Sequence, residues 1–220
     1  MLIPLARSQH AVDSGVRMKP IFWTGTADHI SDYLIHNKRL RDLSNRFPLY
    51  VVYSGTSEYL KTYYPKATII KCENEWMKKA VRVHEAICLR SEYDVVIRFC
   101  PDTIIKDVDT LIRMIETAMA GNPMMFVGNV AKFKGITYLR GACNSTPRAV
   151  FEKLVLKPSD TDYDTWYSTA VVAAGGVMKD VSLFEINNKY TGKLPVWHPT
   201  QYDSGHRDMK VRFKTFLAEC

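Results

Sequence analysis

The sequence contains no CxxC pair, and its five cysteines (Cys72, Cys88, Cys100, Cys143 and Cys220) are odd in number. This argues against a disulfide scaffold or a structural zinc module and points to a reducing compartment. No apolar run approaches the ~20 residues needed to span a bilayer. The opening Met-Leu-Ile-Pro-Leu-Ala-Arg lacks the basic flank and apolar stretch of a secretory signal. A cytoplasmic protein with at most peripheral membrane contact is therefore expected. A G-x-G-x-x-G fingerprint and a P-loop are also missing, which argues against NAD(P)-linked hydride transfer and P-loop NTPase chemistry. With no repeat, low-complexity tract or linker, residues 1–220 read as one domain of ordinary apolar and charged content.

What the chain does have is a formal charge of +7, which favours anionic partners. The basic residues are spread along the chain without an RNP-like or helix-turn-helix signature, so nucleic acid is not expected. Phosphorylated small molecules fit the charge better.

The first half alternates strand-like and helix-like segments, the pattern of a mostly parallel sheet covered by helices. Strands are expected at 19–23, 49–53, 67–71 and 94–99. Helices are expected from about residue 28, over 57–63, over 75–90 and from 108 to 119, the last capped by Asp107. The second half is less regular. Strands are expected at 124–127, 136–139 and 177–186. Thr146-Pro147 suits the start of a helix through Leu154. A helix over 164–174 should stop at Gly175-Gly176. From residue 189 onward the chain is rich in Pro, Tyr, His and charge and reads as an active-site loop with a final basic segment.

Segment 94–103, Asp-Val-Val-Ile-Arg-Phe-Cys-Pro-Asp-Thr, is an apolar run that ends on an acidic turn. Such a strand delivers Asp102 to the carboxyl edge of a sheet, where open α/β sheets bind ligands. A carboxylate there suits a divalent cation, although Pro-Asp is also ordinary turn chemistry. Thr24-Gly25-Thr26 and Ser54-Gly55-Thr56 are expected as small-polar turns that let a backbone approach a ribose or phosphate, or serve as plain loops.

Segments 79–87 (Lys-Ala-Val-Arg-Val-His-Glu-Ala-Ile) and 92–102, with Thr103-Ile104-Ile105 behind them, resemble nucleotide-sugar glycosyltransferases of the GT-A fold. Residues 138–151 resemble that family's acceptor-side strand and following helix, and together these regions cover about half the chain. The resemblance implies an α/β GT-A-like domain, with a mostly parallel central sheet flanked by helices and a less regular acceptor-side second half. It further implies transfer of a sugar from a nucleoside diphosphate sugar, UDP-sugar favoured, to a hydroxyl of a glycan or glycoconjugate. The family's Asp-x-Asp motif is degenerate here, with Cys100 in place of its first aspartate. Asp102 would hold Mn²⁺ or Mg²⁺ alongside the diphosphate, and metal independence stays open. As a redox or nucleophilic thiol Cys100 is disfavoured, because the sequence shows no base beside it.

The same resemblance assigns nucleotide-sugar contacts to Thr24, Gly25, Thr26, Lys79, Arg82, Arg98 and Asp102. Arg82 also fits a solvated basic face, His84 a core or rim position, and Arg98 a partner for a carboxylate. Within Asp160, Asp162 and Asp164, Asp164 is the first choice for the catalytic base and Asp162 the second, while N-capping explains one of them without catalysis. His198 is the expected second metal ligand, with His206 its competitor, and Trp197 or Tyr202 can stack on a sugar. The competing classes are a sugar nucleotidyltransferase, which needs a Gly-rich basic loop after the first strand, and a non-catalytic sugar-nucleotide-binding module.

Overall fold

The computed structural model describes residues 18–27, 31–73, 75–133, 135–157, 161–187, 190–199, 213–214, 216–218 and 220. In chain order the strands are β1 (Pro20–Ala27), β2 (Leu49–Ser54), β3 (Thr68–Lys71), β4 (Val95–Phe99), β5 (Ile104–Ile105), β6 (Met125–Phe133), β7 (Ile136–Pro147), β8 (Val177–Asp180), β9 (Phe184–Asn187) and β10 (Val196–Pro199). The helices are α1 (Ser31–His36), α2 (Lys38–Arg46), α3 (Leu60–Tyr63), α4 (Trp76–Cys88), α5 (Val108–Met119), α6 (Arg148–Phe151) and α7 (Tyr163–Ala173).

Seven strands form one sheet in the order β3-β2-β1-β4-β7-β6-β8. The pairings β1–β2, β2–β3, β1–β4 and β6–β8 are parallel, and β7 alone runs against its neighbours. The expected α/β architecture is therefore present. The pleat decides which side chains go where. Phe22, Val51, Ile97 and Phe99 face a core shared with Leu34, Leu40 and Leu111. Trp23, Tyr50, Val52 and Val96 face the opposite core, made with Ala80, Val83 and Tyr167. A second sheet, β5-β10-β9, is small but decisive for the site.

Local signals explain several boundaries. Asp107 caps α5 by accepting the Thr110 N–H at 2.9 Å. Gly175, at φ 90, ends the α7 region, where the N–H groups of Gly175 and Gly176 bond back to Val172 and Val171. The helix after β1 breaks in two because Asn37 caps α2, its side chain accepting from Leu40 N.

Other expectations change. β1 extends through Thr24, Gly25 and Thr26, so these residues form a central strand and not the turn beyond it. β7 runs to Pro147, and Thr146, instead of capping a helix, lies buried with its hydroxyl against that of Tyr167 at 3.1 Å. α6 is a single turn. The stretch at 177–186 divides between both sheets as β8 and β9. Among the described residues no helix is long and apolar enough to cross a membrane.

Candidate functional site

β4 ends against the antiparallel strand β7, and the chain then turns sharply. Cys100 N bonds the Ala142 carbonyl at 3.1 Å, Thr103 N bonds the Cys100 carbonyl at 3.0 Å, and the Thr103 hydroxyl reaches Ala142 O at 3.1 Å. These bonds fix the turn that carries Asp102. Directly afterwards, β5 pairs antiparallel with β10, matching Ile105 with Val196 and Ile104 with Trp197. One residue further along β10, His198 falls beside Asp102, with Nε2 to Oδ1 at 3.4 Å. The two expected metal ligands are thus brought together from the middle and the late part of the sequence.

His198 is 7 % exposed and Asp102 9 %. The ring is oriented by its other nitrogen, which lies 2.8 Å from the Pro199 carbonyl. Burial works against a charged imidazole, but the Asp102 carboxylate, joined by Cys100, more than offsets it and holds the ring pKa well above its ordinary value. Cys100 completes the group: its sulfur, an Asp102 oxygen and a His198 nitrogen all lie within 4.8 Å of one another and can hold a metal ion. The expectation that Cys100 has no base partner fails, because β10 supplies one. A carboxylate and an imidazole fit Mn²⁺ or a later transition ion, and fit Mg²⁺ less well, since Mg²⁺ prefers oxygen donors.

Cys100 and His198 line one end of a cleft of about 610 Å³, and Arg98 and Asp164 line it further along. Arg98 is 5 % exposed, on the β4 face that also carries Val96. Its Nη1 lies 3.0 Å from Asp164 Oδ1, while Asp164 Oδ2 accepts the Gly141 N–H at 2.8 Å. The guanidinium carbon sits 4.2 Å from the Tyr163 ring centre and 5.7 Å from that of Trp76, within cation–π range. Arg98 therefore has the carboxylate partner that was one of its two readings. Asp164 occupies the first turn of α7, whose cap is Asp162, accepting from Thr165 N at 3.1 Å. Capping accounts for Asp162, and a half-buried ion pair with Arg98 accounts for Asp164's position.

The remaining assigned residues are placed less directly. Thr24 and Thr26 are fully buried, and a methyl on Gly25 would meet the Trp76 ring at 2.6 Å, so the indole occupies the space a side chain would take there. Lys79 is 1 % exposed and donates to the Thr26 carbonyl at 2.7 Å; burial lowers its pKa. It tethers the end of β1 from beneath. Arg82 is exposed, pairs with Glu85 at 3.1 Å, and borders a different cavity together with Lys71 and Lys78. His84 lies at the rim, bonding the Phe151 carbonyl at 2.8 Å. Trp197 is a core residue at 0 % exposure. Asp160, Tyr202 and His206 lie outside the described residues.

Sequence reasoning missed Trp76, Tyr138, Arg140 and Tyr163, which also line the cleft. The alternation of exposed Arg140 with buried Leu139 along β7 was the available signal. It also missed Glu185, whose carboxylate accepts four bonds from Thr191 N, Thr191 Oγ1, Lys193 N and Leu194 N at 2.6–3.0 Å. Burial opposes that charge, but these donors outweigh it and hold the carboxyl at about 2. The latch fixes the loop that leads into β10 and so supports His198.

No family model matches the chain, and no curated protein matches it in sequence. Solved structures do match in fold. A mannosyltransferase from Pyrobaculum calidifontis, in complex with GDP-mannose and Mn²⁺, aligns over 79 % of this chain with a TM-score of 0.55 and 16 % identity. This chain spans 57 % of that protein. A 4-diphosphocytidyl-2C-methyl-D-erythritol synthase from Anaerococcus prevotii aligns over 91 % of this chain and 99 % of its own, at TM-score 0.54 and 9 % identity. A glycosyltransferase involved in glycosylation of the PBCV-1 major capsid aligns over 89 % of this chain and 98 % of its own, at TM-score 0.50 and 8 % identity.

Proposed function

We propose that the protein uses its GT-A-like fold, an α/β architecture with a seven-stranded, mostly parallel sheet, to bind a nucleoside diphosphate sugar and transfer its sugar to a hydroxyl acceptor, as a glycosyltransferase. The observation that carries this reading is the meeting of Asp102 and His198 at the carboxyl end of β4, on the rim of a cleft wide enough for a sugar.

In this reading Asp102 and His198 hold a divalent cation. When bound, it supplies neutralisation of the leaving diphosphate. Arg140, exposed on the cleft wall, adds a charge that suits a diphosphate oxygen. Asp164 stands on the acceptor side. Both its oxygens are engaged, yet each keeps a lone pair with which to accept a hydrogen bond from an acceptor hydroxyl. Arg98, Trp76 and Tyr163 fix that carboxylate, and Lys79 with the β1 threonines supports the sheet edge below the nucleotide. Arg82 takes no part.

Nucleotidyl transfer is the second reading, because the cytidylyl-type synthase matches nearly end to end. Against it, Gly25 sits in β1 beneath an indole and not in a phosphate loop. Incubation with UDP-, GDP- and dTDP-sugars plus hydroxyl acceptors, and with CTP or UTP plus sugar phosphates, separates the two. Sugar transfer releases a nucleoside diphosphate, whereas nucleotidyl transfer releases pyrophosphate. Pyrophosphate release would overturn the proposal, and donor binding without either product would make the chain a non-catalytic module.

A further inference from the structure

Cys100 stands in the sequence where a hard oxygen donor is expected, and the structure gives its sulfur a role that the substitution alone does not reveal. Its side chain, just beyond β4, lines the same cleft as Arg98 and His198. The sulfur, an Asp102 oxygen and a His198 nitrogen lie within 4.8 Å of one another, and the Asp102–His198 edge of that triangle measures 3.4 Å. A tetrahedral ion bound by sulfur, nitrogen and oxygen at about 2.0–2.3 Å spaces its ligands roughly 3.3–3.8 Å apart. The triangle needs only a small contraction to close on an ion.

The supports around the three donors are those of a built site. Cys100 directly follows the central strand β4, and its backbone N–H is pinned to the Ala142 carbonyl at 3.1 Å. Asp102 rides on the turn that Thr103 ties to the same carbonyl. His198 is oriented by the Pro199 carbonyl through the nitrogen that faces away from Asp102. Such outer contacts leave Nε2 as the ligating atom. Three protein ligands with a fourth position opening on a cleft is the arrangement of reactive zinc sites, distinct from the closed four-ligand sites of structural modules.

Donor chemistry then ranks the ions. Thiolate and imidazole favour zinc and its neighbours, while Mg²⁺ takes oxygen donors. We propose that Cys100 is the third ligand of the Asp102–His198 site, as a thiolate, and that the site selects a thiophilic divalent ion of the Zn²⁺ or Co²⁺ class over Mg²⁺. On binding, the Cys100 S–H bond and the His198 Nε2–H bond break, S–metal and N–metal bonds form, and both protons pass to bulk water. The hydrogen bond that the thiol donates to Gly141 O at 3.3 Å is given up in that exchange. This inference rests on the metal reading of Asp102 and His198 given above and deepens it.

The test is a Co²⁺ titration of the chelator-treated full chain, followed by near-ultraviolet thiolate-to-cobalt absorption, with Zn²⁺ competition for affinity. The wild type should develop the thiolate band. Cys100→Ser should lose it and bind Zn²⁺ at least about tenfold more weakly, although Cys72, Cys88, Cys143 and Cys220 remain. Cys100→Asp should also lose the band and shift preference toward Mn²⁺, which shows that a folded site has exchanged a soft donor for a hard one. Co²⁺ binding without the band, unchanged in Cys100→Ser but lost in Asp102→Ala, would overturn the thiolate ligand and leave the metal reading standing. No binding of Co²⁺ or Zn²⁺ by the wild type would overturn both.

Discussion

Asp164 lines the cleft and Asp102 lies behind its His198 end, each beside a cationic partner, yet the two pairs differ in what they can become. Asp164 faces Arg98, whose guanidinium offers donors only and keeps its charge at any working pH. Asp102 faces His198, whose nitrogen becomes a lone-pair donor as soon as it gives up a proton. The first pair can only be kept or broken. In the second, a metal ion can replace the proton without stranding either partner. The difference teaches that a carboxylate's neighbour limits its role in a cleft: Arg98 fixes Asp164 in place, whereas His198 leaves Asp102 able to share an ion, the role proposed for it above.

Removing the carboxylates should produce unequal damage. Asp164→Ala leaves a buried guanidinium without its counter-charge and should cost about 3 kcal/mol, lowering Tm by roughly 6–12 °C in a chain of this size. Asp102→Asn should cost less, about 1–2 kcal/mol, because His198 can shed its proton when its partner goes. Urea unfolding of both variants measures the contrast, and equal losses would erase it.

A more selective perturbation leaves every charge in place. A methyl at Gly141 would land on both the Arg98 guanidinium and the Asp164 carboxylate. Gly141→Ala should therefore pry the pair apart at a cost of about 1–3 kcal/mol. In the Asp164→Ala background much of that penalty should vanish, since one clash is removed and Arg98, released from its partner, can swing away from the methyl. Additive losses in the double variant would mean that the glycine matters for some other reason.

The smallest effect concerns the support of His198. The folded Glu185 carboxyl, at about 2, lies below its ordinary 4.5, so its stabilisation is fully present above about 4.5 and is lost as pH falls toward 2. Glu185→Gln should cost about 1 kcal/mol at neutral pH. The gap between variant and wild type should narrow on the acid side of 4.5. A gap that widens there would reverse the sign of the latch.

Local chemistry made the parallel half readable. The near-continuous apolar runs of β2 and β4, the Asp107 cap and the Gly175 stop all act within a few residues of where they are seen. β7 was legible only in its first four residues, because the polar run from Arg140 to Thr146 does not look like a strand until β4 and β6 pair with it. Asp102 was picked out by its place after an apolar run and His198 by the family resemblance, but their contact depends on β5 pairing with β10, which no local pattern encodes. For the same reason Cys100 read as a thiol without a partner. The β1 segment misled in the opposite direction: Thr-Gly-Thr has turn chemistry, yet packing against Trp76 and the tie from Lys79 keep it in the strand.

The most direct test is calorimetric titration of nucleoside diphosphates (UDP, GDP and CDP) into wild type and Asp102→Ala, with and without Mn²⁺ or Zn²⁺. The account predicts that at least one nucleotide binds the wild type more tightly when metal is present, and that Asp102→Ala loses this metal-linked gain while remaining folded. Nucleotide affinity that ignores the metal, and is the same in both proteins, would contradict it.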